Sequence, residues 1–439
     1  MTNTATKFTL ANGLRLRRAT ADDQRDCQAG LLKSHLLQAA ETRFYQRLFK
    51  DNGIDPAMTT VADFHQIPLT NRHDVETFFE DFFAVPPADQ VDLALTSGST
   101  GDPVLVPYSA RDLKRLAFNE QMAFWGVGIR QDDTVLLSVT IDRCFIAGLA
   151  YYSGLIRLGA AAIRSGPGQP ARQWEIINRL KPTAIVGVPS FLLRIAQWGM
   201  EHGFDPAGGA VKRLITIGEP IRGPELTPTP LGARLAEAWQ AEIFSSYGAT
   251  ELETAFCECP AAGGGHVHPE LMIVEIVDDN GQKVPDGEPG EVVVTPLGVE
   301  GFPLVRFRTG DMARLHTETC PCGWQTPRLG PIEGRLEQRL KCKGTTIYPE
   351  MIFQAAQGIK SVKAVYIEVR SAFDLSDEVK VVVGTDDKKL TCKKLGDLLQ
   401  ARLRVRPEIE IRDHREVIAD MEKAGGRKLK NIFDFRKGT

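Results

Sequence analysis

Apolar residues recur at helical spacing through residues 23–50 ("DQRDCQAGLLKSHLLQAAETRFYQRLFK"), which predicts a helix or a helix pair. "DTVLLSV" (Asp133–Val139) is a short apolar run bounded by charge and reads as a buried strand. "CFIAGLAYYSGLIRLGAAAI" (Cys144–Ile163) carries small residues at close spacing, as in a tightly packed helix that leads into a strand. "PTAIVGVPS" (Pro182–Ser190) and "VKRLITIGEP" (Val211–Pro220) each predict a strand ending in a polar turn, with a helical stretch between them. That β–α–β rhythm is the mark of an α/β fold with mainly parallel, helix-flanked sheets, whose ligands lie beyond the carboxyl ends of the strands. From about Leu271 the pattern changes to alternation in short runs, "LMIVEIVD" and "GEVVVTP", separated by turns such as "PDGEPGE". These predict an antiparallel β subdomain. After Gly334 the strands "SVKAVYIEVR", "EVKVVVGT" and "EIEIRDH" alternate with helices around Pro349–Ala356 and Leu390–Leu403, giving a small α+β module.

Size agrees with that division. At 439 residues the chain exceeds one compact core, and the patterns assign 1–334 to a large domain and 335–439 to a small one. A net charge of −3 gives no electrostatic case for nucleic acid or an anionic membrane as a partner. The N-terminal segment lacks the apolar core of a secretory signal, and no apolar run is long enough to span a bilayer. A cytoplasmic location is therefore expected, with the eight cysteines read as thiols or metal ligands rather than disulfides. A homodimer is left open.

"TSGSTGDP" (Thr96–Pro103) concentrates hydroxyls and glycines as in a cradle for anionic oxygens, although a polar turn between strands would also use these residues. It lacks the lysine of G-x-x-x-x-G-K-[ST]; Asp102 follows the last glycine. Two further segments add to it. "SSYGATELE" (Ser245–Glu253) reads as an aromatic residue, a glycine turn, then Thr250 and Glu251. "FPLVRFRTGDMARL" (Phe302–Leu315) places Asp311 just after an Arg-rich strand. In this order the three resemble the adenylate-forming superfamily of acyl-CoA synthetases, nonribosomal adenylation domains and luciferases, and "EGRLEQRLKCKGTTIYPEMI" resembles its interdomain hinge. "FIAGLAYYSGLIRLGAAAIRSGPG", "VGVPSFLL", "IGEPI" and "RFRTGDMARL" are most similar to phenylacetate–CoA ligase and its relatives, and the likeness covers residues 20–437.

The resemblance implies a two-step, AMP-forming ligase. A carboxylate attacks the α-phosphorus of ATP to give an acyl-adenylate and pyrophosphate; a thiol, normally that of coenzyme A, then attacks the activated carbonyl. It assigns Thr96, Ser97, Gly98, Ser99, Thr100 and Gly101 to the β- and γ-phosphates, with Asp102 departing from the family's common lysine. Glu251 becomes the Mg²⁺ ligand beside Thr250, since a hard cation takes carboxylate and phosphate oxygens together. Glu219 and Pro220 match the adenine side, Ser246 a nucleotide contact, Tyr247 and Gly248 the adenine and aryl pockets, and Asp311 the ribose hydroxyls. Arg335 opens the small domain as a nucleotide contact or an interdomain ion pair, and Glu337 lies at the pivot, which implies a mobile C-terminal domain. In "GGRKLKNIFDFRK" the adenylation lysine aligns with Lys428, with Lys430 as its rival because Arg427 intrudes after the glycines. Glu251 and Asp311 have plainer readings, as a solvated glutamate and a turn aspartate.

The substrate acid is expected between the helix around Cys144–Leu155 and Ser245–Glu251, with Phe145, Gly148 and Tyr152 lining it; ordinary helix packing would use the same residues. "FCECPAAGGGHVHPE" and "TCPCGW" offer a closed tetrahedral Zn²⁺ site from Cys259, His266, Cys320 and Cys322. Cys257 and His268 are second choices, and a pair of free-thiol turns is the alternative; Cys27, Cys144, Cys342 and Cys392 read as isolated thiols. The expected activity is that of an aryl-acid–CoA ligase. Delivery of the acyl group to a protein thiol, release of the adenylate, and a non-catalytic zinc-stabilised binding protein are the other readings.

Overall fold

The computed structural model describes residues 8–96, 103–342, 345–371, 377–403, 405–424 and 429–436. The chain divides into two compact units, Met1–Leu226 with Arg234–Pro331, and Thr227–Ala233 with Ile332–Thr439. The division falls three residues before the boundary drawn from the sequence, and a short internal segment groups with the second unit.

The first unit is built on a six-stranded sheet, in the order Ala161–Arg164, Thr134–Leu137, Ala184–Gly187, Arg213–Ile217, Glu242–Ala249 and Thr254–Cys257. The first five strands run parallel and the last turns back antiparallel. Four-residue apolar strands suit this place because helices cover both faces. Val135, Leu137, Val186, Ile215 and Phe244 pack on Phe124, Tyr151 and Leu155 from the helices Ala110–Gly126 and Ile146–Leu158. Leu136, Ile185 and Leu214, also wholly buried, alternate to the other face. The helices Pro170–Leu180 and Pro189–Glu201 open on proline and are joined by the Trp174 indole, which donates to the Ile195 carbonyl at 2.8 Å.

Residues 23–50 form the anticipated pair, Ala21–Ala39 and Arg43–Asp51, capped by Thr20 and Thr42. The strands Met272–Val277, Gly290–Pro296 and Phe307–Ala313 pair antiparallel. A small sheet joins Gly265–His266, Arg328–Leu329 and Leu315–His316. In the second unit Val362–Ser371 and Asp377–Thr385 pair antiparallel, flanked by parallel partners Ile432–Asp434 and Glu408–Arg412. Pro349–Gln357 and Cys392–Leu403 cover one face; His414–Ala424, with Val417 and Met421, covers the other.

Two local readings are corrected. Gly248 is not a turn: the strand runs through it to Ala249, with Gly248 opposite Ala255. Asp311 lies inside the strand Phe307–Ala313, not after it. The helices Leu10–Arg17 and His414–Ala424 were not anticipated.

Candidate functional site

The hydroxyl- and glycine-rich loop springs from the hairpin Gln90–Leu95 and Leu105–Ser109. Ser97, Gly98, Ser99, Thr100 and Gly101, with Asp102, lie outside the described residues. Thr96 is buried at the loop's mouth. Its N–H donates to the Val104 carbonyl at 3.0 Å, and its Oγ1 accepts from the Val104 N–H at 2.9 Å. That double bond holds the loop's two ends together. The Thr96 hydroxyl, which the phosphate assignment would use, therefore already accepts one hydrogen bond and has its proton to donate to a phosphate oxygen.

The strand Glu242–Ala249 delivers the next group. It ends in a single 3₁₀ turn, Thr250–Leu252, and Glu253 completes the reversal at φ 49°. Glu251 sits on that turn with its side chain one-tenth exposed, and Arg72 Nη1 lies 3.6 Å from its carboxylate. Arg72 opens the helix Arg72–Thr77, capped by Asn71, and is braced by Glu76 at 2.7 Å. Its Nη2 is buried with no hydrogen-bond partner among the described residues. The turn is fixed from beneath by Arg115, which donates to the carbonyls of Glu253, Leu271 and Leu297 and to the Thr254 hydroxyl. Tyr108 adds a bond to the Thr250 carbonyl at 3.3 Å. Burial, with Glu253 and Glu251 nearby, raises the Tyr108 phenol well above its usual pKa, so it stays a donor. Arg72 and Arg115 escaped the sequence reading. The "NRHD" capping pattern signals where a helix begins, but nothing local signals which distant carboxylate its arginine meets.

Tyr247 and Asp311 come together: the phenol donates to Asp311 Oδ2 at 2.7 Å. The Asp311 N–H is held by the Thr309 hydroxyl at 3.1 Å, which orients the carboxylate. Its lone pairs can accept further bonds, as two ribose hydroxyls would require. Glu219 follows the strand Arg213–Ile217 and accepts from the Ser190 N–H and hydroxyl at 2.9 and 2.8 Å, with Pro220 next in the chain. Ser246 is buried in the strand Glu242–Ala249, opposite Cys257 of the neighbouring strand.

The expected acid pocket is redistributed. Gly148 packs directly on the loop before its helix: a Cβ there would stand 1.9 Å from the Thr140 carbonyl oxygen. It is glycine for that close approach, rather than to make room for a ligand. Tyr152 carries the Arg164 guanidinium over its ring at 5.3 Å, while Tyr151 packs on the main sheet. Phe145 is the half-buried residue that precedes the helix.

In the second unit Arg335 and Glu337 are exposed, and Leu336–Gln338 forms one 3₁₀ turn. Lys428 lies outside the described residues; the Lys430 N–H donates to the Met421 carbonyl at 3.0 Å.

Cys259, His266, Cys320 and Cys322 converge, all their ligand atoms within 4.8 Å of one another. Cys259 and Cys320 Sγ are 3.5 Å apart, and Cys322 Sγ is 3.4 Å from His266 Nε2. Bond lengths of about 2.3 Å to sulfur and 2.0 Å to nitrogen give tetrahedral edges of roughly 3.8 and 3.5 Å. The cluster is thus close to the size of a zinc shell. The Thr326 hydroxyl lies 2.9 Å from His266 Nδ1 and turns Nε2 inward. Burial, with Arg17 and Arg328 close by, lowers the His266 pKa to about 3 and keeps the ring neutral. The second choices do not join. Cys257 is in the core of the main sheet, and His268 is engaged by Arg17, which also pairs with Glu270 at 2.8 Å. The strand ends at Cys257, so strand alternation does not carry it to the side of Cys259.

Residues 25–299 match the family described as AMP-binding enzyme. The phenylacetate–coenzyme A ligase of Thermus thermophilus is 29% identical over 348 residues, 77% of this chain and 77% of that protein. The enzyme of the same name from Pseudomonas putida is 29% identical over 355 residues, 79% of each. In fold, the chain is similar to 2-hydroxyisobutyryl-CoA ligase solved with R3-HIB-AMP, with a TM-score of 0.84 at 23% identity over 97% of this chain and 92% of that one. Among the described residues no helix is long and apolar enough to cross a membrane. The family match spans more than half of the chain, and the protein belongs to the AMP-binding enzymes, the adenylate-forming superfamily, as a phenylacetate–CoA ligase-like member.

Proposed function

We propose that the protein is an aryl-acid–CoA ligase, joining a small aromatic acid to coenzyme A at the expense of ATP and releasing AMP and pyrophosphate. The observation that carries this reading is the end of the strand Glu242–Ala249. There Tyr247 is 2.7 Å from Asp311, and the chain runs directly on to Thr250 and Glu251. A ribose acceptor held by Tyr247 near the end of this strand, with a metal carboxylate just after it, suits a nucleotide whose phosphates reach the Thr96–Gly101 loop.

In this reading Asp311 accepts from the ribose hydroxyls while Tyr247 holds its carboxylate in place, and Glu219 and Pro220 border the adenine. Glu251, poorly exposed and beside a cation, fits one carboxylate arm of a Mg²⁺ shared with phosphate oxygens. When bound, that ion neutralises phosphate charge. Arg72 directs its unpartnered Nη2 to the polyphosphate, supplying a positive charge where Asp102 replaces the family's lysine. Lys428 brings a compact charge between the attacking carboxylate and the α-phosphate, with Lys430 as the alternative. Arg335 contacts the nucleotide when the small domain is in place, and Phe145 borders the acid. Cys259, His266, Cys320 and Cys322 hold Zn²⁺ with all four positions filled, so its part is structural. Cysteines read as thiols and zinc ligands accord with a reducing, cytoplasmic location.

Pyrophosphate release from ATP, measured over a panel of carboxylic acids with and without coenzyme A, tests the reading. Aromatic acids should stimulate release, and coenzyme A should convert the bound adenylate to thioester. Lys428→Ala should slow adenylate formation by roughly 10² to 10³, the usual cost of a lost charge-assisted transition-state contact. It should still form thioester from supplied acyl-adenylate. Pyrophosphate release at the unmodified rate would move the role to Lys430.

A further inference from the structure

Among the described residues the strand Thr254–Cys257 is the edge of the main sheet, paired with Glu242–Ala249 alone. An edge strand leaves backbone N–H and C=O groups without a ladder partner, and buried groups of that kind must be satisfied in another way. Here two side chains of one helix do it. Asn119, on the helix Ala110–Gly126, accepts from the Ala255 N–H at 2.9 Å and donates to the Ala255 carbonyl at 3.1 Å. A facing strand residue would make the same pair of bonds. Arg115, one turn earlier, donates to the Glu253 carbonyl at 2.5 Å and to the Thr254 hydroxyl at 3.0 Å. Both side chains are wholly buried, and their i, i+4 spacing sets them on one face of the helix.

What these two residues grip is the end of the turn that carries Glu251. Thr250–Leu252 is a single 3₁₀ turn, closed by the Glu253 N–H donating to the Thr250 carbonyl at 3.3 Å. One such turn has little stability of its own. Glu253 leaves it at φ 49°, a left-handed conformation that is costly for a residue with a Cβ and persists only where the surroundings enforce it. Arg115 supplies the enforcement. Its Nε donates to the Leu297 carbonyl at 2.9 Å and its Nη2 to the Leu271 carbonyl at 2.5 Å, so one guanidinium ties Glu253 to two other segments. A lysine, with a single nitrogen on a flexible stem, could not span these three carbonyls together.

We infer that Arg115 and Asn119 are positioning residues for adenylate formation: acting as a surrogate strand, they fix the backbone of 253–255 and thereby set where the Glu251 carboxylate meets Mg²⁺. The inference rests on the ligase reading above, which makes Glu251 the metal ligand, and adds the residues that aim it. Both act through the backbone and not on the nucleotide. Loosening that backbone keeps the Glu251 carboxylate but lets it wander from the place the ion requires, and a metal site weakens when the groups that orient its ligand are lost.

The test measures pyrophosphate release against Mg²⁺ concentration, at saturating ATP and an aromatic acid that supports release, for the full-length protein and its Arg115→Lys and Asn119→Ala variants. Arg115→Lys should need roughly tenfold more Mg²⁺ for half-maximal release and Asn119→Ala roughly fivefold more. Thr183→Val is the control. It cuts hydrogen bonds of Thr183 with Asp133 and Thr134 where the chain enters the strand Ala184–Gly187, at the opposite end of the sheet. It should lower the thermal midpoint and leave the Mg²⁺ requirement unchanged. A requirement unchanged in both test variants, or raised as much in Thr183→Val, overturns the inference. Should Arg115→Lys fail to fold, Asn119→Ala decides on the same criterion. If the unmodified protein releases no pyrophosphate with any acid, the ligase reading falls, and thermal protection by Mg²⁺ with ATP carries the comparison instead. Protection that weakens in Asn119→Ala would uphold the positioning role, and equal protection, or none, would end it.

Discussion

At the scale of single residues, what a side chain does here depends on how far it is removed from water. Asp311 and Glu251 are buried but lie beside Tyr247 and Arg72, whereas Glu120, about as deeply buried, has no ion-pair partner among the described residues and holds its proton up to about pH 8. That difference has a thermodynamic consequence. In the unfolded chain Glu120 ionises near its ordinary value of 4.5; in the fold it ionises near 8. Its contribution to stability is therefore fully present below about pH 4.5 and is lost as pH rises to about 8. Each tenfold change in proton affinity is worth about 1.4 kcal/mol, so the loss is of the order of a few kcal/mol. Glu120→Gln, which cannot ionise, should gain stability over the unmodified protein between pH 5 and pH 8. Urea midpoints at the two pH values check this, and parallel pH slopes for the two proteins would refute it. Legibility varied at this scale. Asp311 and Glu251 stood in motifs, but Glu120 lies in an amphipathic run where a glutamate reads as a solvated position.

At the scale of elements, periodicity located Thr134–Leu137, Ala184–Gly187 and Arg213–Ile217 because each is a short apolar run buried along most of its length. It failed where tertiary pairing overrides local signals. Gly248 looks like a turn residue, yet it is carried in strand conformation because Thr254–Cys257 pairs with its neighbours. His414–Ala424 went unread because its apolar face is confined to Val417, Ile418 and Met421 within a charged run. The cysteine knuckle shows the opposite case: its spacing was legible, and the fold gathers Cys259, His266, Cys320 and Cys322 as expected. The segments 257–268 and 315–329 have little apolar core of their own beyond Val267, Trp324 and Leu329, and the small sheet that joins them is only two residues wide per strand. Metal binding should therefore contribute much of their stability. Protein purified without chelator should contain about one zinc per chain, and Cys320→Ser should lower both zinc content and the thermal midpoint. The loss of turnover should be smaller than the loss of stability. Elemental analysis showing no zinc, or a variant with an unchanged thermal midpoint, would refute the structural role.

At the scale of the whole molecule, the two compact units meet in sequence at Pro331 and Ile332, and the exposed 3₁₀ turn Leu336–Gln338 follows within a few residues. The order of the motifs made this layout legible: the phosphate loop, the "YGATE" strand and the aspartate strand all precede the junction, and the lysine segment follows it. The residue contacts that tune each site were not legible, since they join positions far apart in the chain. Arg72 with Glu251 and Tyr247 with Asp311 are the clearest cases. A ligase with two half-reactions needs different groups beside the acyl carbonyl in each, which a turn of the small domain about residues 335–338 would supply. Glu337 lies inside the turn with its side chain in solvent, so replacing it removes no buried contact. Proline there fixes φ near −65°, a value the 3₁₀ turn accepts, but denies the backbone any other conformation. Glu337→Pro should therefore preserve adenylate formation while slowing acyl transfer to the thiol by an order of magnitude or more, if the observed turn belongs to the adenylating arrangement. The opposite arrangement would give the mirror pattern, with transfer kept and adenylation slowed. Single-turnover rates for adenylate formation, and for thioester formation from preformed adenylate, separate both patterns from simple damage. Local unfolding of the loop would slow the two steps alike, and equal losses would rule out a pivot at this position.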